Sequence, residues 1–141
     1  SDSSGKAAIG HGYTYSGHPV GAAAALAAIA ETRHLNVVTN AAARGTQLYD
    51  GMVALAGQYP VVGDVRGGHG LMTAMELVAD RETKAPIDGK LAIKMQKAAY
   101  QAGALIRVSG PNVILSPSLV IEEADIDIAL NAVEEGLKAI S

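Results

Sequence analysis

From Val37 onward the apolar positions step along the chain as they do on a helix. Val37, Ala41, Leu48, Met52 and Leu55 share one face, predicting a helix from about Val37 to Gln58. Tyr59-Pro60 ends it, because the residue before a proline is driven out of helical geometry. Ahead of it, His18-Pro19 opens an Ala-rich segment that runs to about His34. Proline costs nothing in a first helical turn, where its missing N–H has no intrahelical partner. Alanine has the highest helix propensity and leaves a smooth surface for a close neighbour.

The period then changes. Val61 to Arg66 reads as a strand, and Leu71 to Val78 as the next, with Leu71, Thr73, Met75 and Leu77 on one face. Gly67-Gly68-His69-Gly70 is a tight turn between them, and Asp80 to Gly89 is a polar loop containing Pro86. Lys90 to Ala102 reads as an amphipathic helix stopped by Gly103, a residue suited to the position just past a helix end. Leu105 to Val108 and Val113 to Leu115 are short strands joined by the turn residues Ser109-Gly110-Pro111-Asn112. From about Glu122 to Ile140 the residues Ile126, Leu130, Val133 and Leu137 form the apolar stripe of a last helix. Strand pairs with short links, flanked by helices, predict an α+β fold: a small antiparallel sheet with helices packed against it.

Composition narrows the function classes. The chain has 141 residues, of which 49% are hydrophobic and 18% charged, a globular composition. With no Phe and no Trp, the core is built from Ala, Val, Ile, Leu and Met. A net charge of -3 and no basic run leave nucleic-acid or anionic-membrane binding without an electrostatic basis. There is no cysteine, so disulfides and thiolate metal sites are excluded, and a reducing, cytoplasmic setting is expected. The longest apolar run, Val20 to Ala30, is too short to span a bilayer. Ser1 to Gly10 lacks the apolar centre of a secretion signal and is expected to be a flexible tail or loop remnant.

Two places carry candidate chemistry. In His11-Gly12-Tyr13-Thr14-Tyr15-Ser16-Gly17-His18-Pro19, hydroxyls and glycines lie directly before a helix start. Free backbone N–H groups and the positive helix end suit such a place to an anion, with Thr14 or Ser16 supplying a hydroxyl to a phosphate. The competing reading is that Ser16 or His18 simply caps the helix. The second place is Arg107, charged in an otherwise apolar strand. It either grips a carboxylate with two parallel hydrogen bonds or is an edge-strand arginine reaching for water. Arg66-Gly67-Gly68-His69-Gly70 has neither the spacing of a phosphate loop nor a following Lys-Ser or Lys-Thr, and reads as a strand connection. The four histidines show no metal-ligand spacing, so no metal is expected. Glu122, Glu123, Asp125 and Asp127 favour the start of the last helix through its dipole.

Taken together, these segments resemble the class III aminotransferases, notably the branch that uses amines or omega-amino acids with pyruvate. The match runs from about His11 to Ile140. Its most specific part is the His11–Pro19 motif followed by the small-residue helix. Val65-Arg66-Gly67 with Gly70-Leu71-Met72 and Glu76-Leu77, then Thr83-Lys84-Ala85-Pro86, then Arg107-Val108-Ser109-Gly110 with Ser116-Pro117, follow in the family's order. The resemblance implies a fold-type I enzyme that uses pyridoxal phosphate and works as a homodimer with active sites at the subunit interface. It divides the chain into residues 1–10 as a tail, 11–34 as the end of the large cofactor domain with its connecting helix, and 35–141 as the C-terminal small domain.

By the same resemblance, Thr14 reaches the cofactor phosphate of the partner subunit, with Tyr13 at the same place. Arg107 is a mobile residue that binds the substrate carboxylate and swings aside for apolar amines. The Schiff-base lysine and the aspartate facing the pyridine nitrogen lie upstream in that family, and Lys6 does not match the former. The chain is therefore expected to be the C-terminal part of an aminotransferase, inactive alone. Pro117-Ser118-Leu119 stands where the family usually has Pro-Pro-Leu. Competing readings are a fragment of a same-fold aminomutase or decarboxylase, and a non-enzymatic small domain acting in dimerisation or ligand binding.

Overall fold

The computed structural model describes residues 12–141, so the expectations for the tail, His11 and Lys6 lie outside the described residues. The chain divides into two compact units, Ser1–Leu35 and Asn36–Ser141. In the first, helix α1 spans Pro19–His34. Proline occupies its first position, and Arg33 and His34 place positive charge in its last turn, where the helix dipole favours it. None of its residues is buried, so its apolar side chains, Val20, Leu26 and Ile29, are exposed.

The second unit holds α2 (Val37–Gln58), β1 (Val62–Arg66), β2 (Thr73–Leu77), α3 (Gly89–Gln101), β3 (Arg107–Ser109), β4 (Asn112–Leu115) and α4 (Glu123–Lys138). The strands form one antiparallel sheet in the order β1-β2-β4-β3. β4 therefore joins β2 across the α3 excursion, and β3 is left as an edge. One face of the sheet is buried. Val65, Met75, Val113 and Val108 lie side by side across it, with Leu77 and Leu115 on the same side.

The three helices, with Leu71, Ile87 and Ile106 from the connecting loops, supply the rest of this core. Leu48, Met52 and Leu55 come from α2, Met95 and Ala99 from α3, and Ile126, Val133 and Leu137 from α4. The periodicity in the sequence anticipates the faces of α2 and α4, and small residues are buried beside them: Ala132 and Gly136 on α4, and Gly45 on α2. A Cβ there would lie 2.2 Å from the carbonyl oxygen of Gly70, so the helix rests directly on the backbone of the glycine turn.

Caps and cross-links explain the boundaries. Asp88 accepts a hydrogen bond from the Lys90 N–H at 2.9 Å and starts α3, one residue earlier than the sequence pattern places it. Gly103, at φ 107, follows its end. α4 starts with acidic residues, and the Glu122 N–H donates to Asp125 at 3.4 Å. Polar side chains of α2 hold this start in place. The Asn40 amide donates to the carbonyls of Leu119 and Ile121, and Arg44 pairs with Glu123 at 2.7 Å. Arg81, on the loop after β2, donates to the carbonyls of Val62, Ala56 and Tyr59, so one guanidinium serves both the end of α2 and the start of β1. No helix among the described residues is long and apolar enough to cross a membrane.

Candidate functional site

The first candidate element is the turn Thr14–Gly17 ahead of α1. It closes on itself: the Ser16 N–H donates to the Tyr13 carbonyl at 3.0 Å, and the His18 N–H to the Tyr15 carbonyl at 3.1 Å. Gly17 takes φ 77, a conformation that side chains disfavour, and so lets the chain turn into the helix. Of the two proposed caps, His18 is the one used. Its Nδ1 accepts from the Gly21 N–H at 3.3 Å, and its ring stands edge-on to Tyr15 with centroids 5.9 Å apart.

The Ser16 hydroxyl accepts from the Tyr13 N–H at 3.3 Å. Thr14 differs from both: it is exposed, and its hydroxyl makes no hydrogen bond among the described residues. Capping and anion binding thus cease to compete for one residue. Of the two hydroxyls considered for a phosphate, Thr14 is the one left available. Tyr13 is 69% exposed beside it.

The second element is the face of the sheet opposite the core. Asp64, Glu76, Asn112 and Ser109 form one row across the four strands, and Arg66, Ala74, Ile114 and Arg107 form the next. Two arginines therefore stand on the same face, separated by three strand spacings, roughly 14 Å. Their electrostatic states differ. Arg66 donates to Asp64 and to Glu76, each at 2.9 Å, and to the Asn112 side-chain oxygen at 2.6 Å. Hydrogen bonding to Glu76, then to Asp64, raises its already high pKa. Arg107 is exposed on β3, and its guanidinium makes no ion pair among the described residues. Of the two, only Arg107 has its fork free for a carboxylate.

Arg107 also borders a hollow of about 430 Å³ at the open edge of the sheet. Leu105, Ile114, Pro117 and Ile128 are among its apolar lining residues, and Arg107 and Asp125 are its charged ones. This volume and this mixture, mostly apolar with a few polar groups, fall within the range seen for small-molecule sites. The strand carrying Arg107 begins and ends later than the periodicity suggests, at Arg107–Ser109 and not Leu105–Val108. Leu105 lies outside the ladder and is 81% exposed.

The Arg66 cluster was not legible as a unit in the sequence, because its members lie on three strands and only the register brings them together. The glycine turn after Arg66 behaves as a strand connection, with Gly67, Gly68 and Gly70 all at positive φ. Thr14 and Tyr13 belong to one compact unit and Arg107 to the other.

Known proteins share this architecture and sequence. A taurine–pyruvate aminotransferase from Bilophila wadsworthia is 37% identical over 134 residues, which is 90% of this chain and 29% of that protein. A leucine/methionine racemase from Thermococcus litoralis is 34% identical over 130 residues, 92% of this chain and 29% of that one. Among solved structures, a PLP-bound amine transaminase from an uncultivated Pseudomonas species superposes with a TM-score of 0.83 at 38% identity, covering 94% of this chain and 30% of that chain. The chain thus spans about three-tenths of the length of the relatives it matches. The family model for aminotransferase class-III matches residues 3–137, and the chain accordingly belongs to the class III aminotransferases.

Proposed function

We propose that this chain is the C-terminal portion of a cytoplasmic, homodimeric aminotransferase. The enzyme moves an amino group from an amine or omega-amino acid to a keto acid such as pyruvate, using pyridoxal phosphate. The observation that carries this reading is Arg107: an exposed guanidinium without an ion-pair partner, at the lip of an apolar hollow, in a chain 37% identical to a taurine–pyruvate aminotransferase. On this reading residues 11–34 end the large domain and residues 35–141 form the small one. The lysine that links the cofactor lies in the portion of the relatives that this chain does not span.

The residues present fit the cofactor at its phosphate. Thr14 offers a hydroxyl that no neighbour uses, on an exposed turn ahead of a helix, with Tyr13 beside it. Bound there, pyridoxal phosphate supplies the electron sink that makes proton removal from the substrate carbon feasible. The chain's own part is binding and orientation. Thr14 and Tyr13 hold the cofactor, Arg107 receives the acceptor carboxylate, and Leu105, Ile114 and Pro117 give that contact an apolar border. The relationship to a racemase supports a second reading, in which the same fold moves a proton on an amino acid without transferring its nitrogen.

The test is the intact mass of the polypeptide made from its native gene, with and without borohydride. A much larger chain that gains a trapped cofactor supports the proposal, and a requirement for a keto-acid acceptor separates transfer from racemisation. A chain of this same mass with no adduct refutes it and leaves a stand-alone domain.

A further inference from the structure

The hairpin that carries Arg107 is held at its tip. β3 and β4 are joined by Gly110-Pro111, with Ser109 and Asn112 as the last pair of the ladder. Gly110 stands at φ 57, and a proline fixes its own φ near −65°. That combination is a type II′ turn, which suits the twist of a two-residue hairpin. Two bonds then tie the turn to the neighbouring strands. The Leu77 N–H of β2 donates to the Pro111 carbonyl at 2.8 Å, and Arg66 of β1 donates to the Asn112 side-chain oxygen at 2.6 Å. The second bond skips a strand, since β1 and β4 lie on opposite sides of β2.

Arg66 can span that distance because its guanidinium is planar and carries several donors. Nη1 is directed to Asp64 and Glu76, and Nη2 is left for Asn112. The two carboxylates hold the guanidinium from β1 and β2, so the group that reaches the hairpin is itself paired. A ligand pulling on Arg107 acts on a three-residue edge strand whose pairing partner is β4 alone. Without the Arg66 bond the tip keeps only its ties to β2, and the edge strand gains freedom to shift when its arginine is loaded.

We infer that Arg66 is a positioning residue for Arg107: through Asn112 it anchors the β3–β4 hairpin and so sets the pose from which Arg107 meets a substrate carboxylate. This rests on the reading of Arg107 as the carboxylate-binding residue. On this inference Arg66 acts through Asn112, and its effect is confined to ligands that engage Arg107.

The test compares Arg66→Lys, Asn112→Ala and the double variant in the full-length holoenzyme, with pyruvate and with a simple uncharged aldehyde as acceptors. Lysine keeps a cation between Asp64 and Glu76 but lacks the fork. Asn112→Ala leaves those ion pairs intact and removes the link to Arg66, together with the amide's own 3.4 Å bond to the Ser109 carbonyl inside the hairpin. Each single variant is expected to raise KM for pyruvate roughly three- to tenfold, the scale of one ordinary hydrogen bond. KM for the aldehyde and kcat stay within about twofold, and the double variant is no worse than the worse single one, because both remove the same bond.

Effects that multiply, that appear equally with the aldehyde, or that are absent overturn the inference. If Arg66→Lys fails to fold, Asn112→Ala carries the test alone. Arg107→Ala distinguishes the two ways of failing. If its loss is selective for pyruvate while the clamp variants show no selective loss, the clamp is wrong. If its loss is equal for both acceptors, the carboxylate reading is wrong and the clamp falls with it.

Discussion

Two glycines of α2 should respond with opposite sign to the same substitution. Replacing a helical glycine by alanine ordinarily stabilises by up to about 1 kcal/mol, because alanine has less backbone freedom to lose. Gly57 is exposed near the end of the helix, and a Cβ there meets nothing within 4 Å. Gly57→Ala should therefore gain a few tenths of that amount to the full ~1 kcal/mol. Gly45 has the same intrinsic gain available, but its new Cβ would lie 2.2 Å from the Gly70 oxygen, 2.5 Å from the Gly70 carbonyl carbon and 2.9 Å from its Cα.

Ordinary contact begins at 3.4 Å, so the turn or the helix must retreat by about 1.2 Å. The obstacle is backbone, which has no rotamer into which to escape. Overpacking of this kind costs about 1–3 kcal/mol, sometimes more, so the net effect is destabilising. At roughly 3–6 °C per kcal/mol for a domain of this size, Gly45→Ala should lower Tm by several degrees while Gly57→Ala raises it slightly. Thermal unfolding followed by far-UV circular dichroism reads both. If Gly45→Ala matches or exceeds the wild-type Tm, α2 does not rest on the glycine turn as described, and the packing argument fails.

Other outcomes follow from single side chains. Thr73 is fully buried and its hydroxyl has no hydrogen-bond partner among the described residues, so the near-isosteric Thr73→Val should stabilise by about 1 kcal/mol, read as a rise in urea midpoint; a lower midpoint refutes the orphaned hydroxyl. In the full-length enzyme Thr14→Ala should weaken cofactor retention roughly tenfold on dialysis with circular dichroism unchanged, the scale of a hydrogen bond to a charged group; unchanged affinity removes Thr14 from the phosphate site. Arg107→Ala should cut kcat/KM for carboxylate-bearing acceptors tenfold or more, on the same scale, and spare simple amine donors; equal loss for both counts against the carboxylate role. Asp80 accepts the Thr83 N–H at 2.7 Å and the Thr83 hydroxyl at 2.8 Å, and the backbone bond, first, holds its pKa below the usual 3.8. A lowered folded-state pKa stabilises above the unfolded value and is lost as pH falls through the lowered one. Asp80→Asn should therefore be less stable than wild type at neutral pH, with the gap closing below 3.8; a gap independent of pH contradicts this.

Most of the fold was legible because its elements bury one face each. The α2 limits follow from an apolar period that begins at Val37 and a proline after Tyr59, and the buried face of β2 follows from strict alternation. Less legible was what depends on register and long reach. The limits of β3 were displaced because Leu105 is apolar yet exposed, so hydrophobicity there does not report the ladder. Arg81, Arg44 and Asn40 read as ordinary polar residues, since nothing local marks the carbonyls or carboxylate they meet across 19 to 81 residues of sequence. At the candidate site, Thr14 and Ser16 are equivalent hydroxyls in sequence. The family resemblance singles out Thr14, and the fold of the turn also separates the two, by spending Ser16 on the Tyr13 N–H.

The two-residue turn at Gly110-Pro111 has a consequence for how this chain can change over generations. Successive strand residues alternate faces, so the distance in residues from Arg107 to the turn decides whether its guanidinium faces outward or into the core. Inserting one residue between them would bury the charge, and inserting two would return it to the surface. Length variation in this hairpin among descendants should thus come in even steps, whereas side chains along its outer row can be exchanged one at a time without disturbing the reading frame of the sheet.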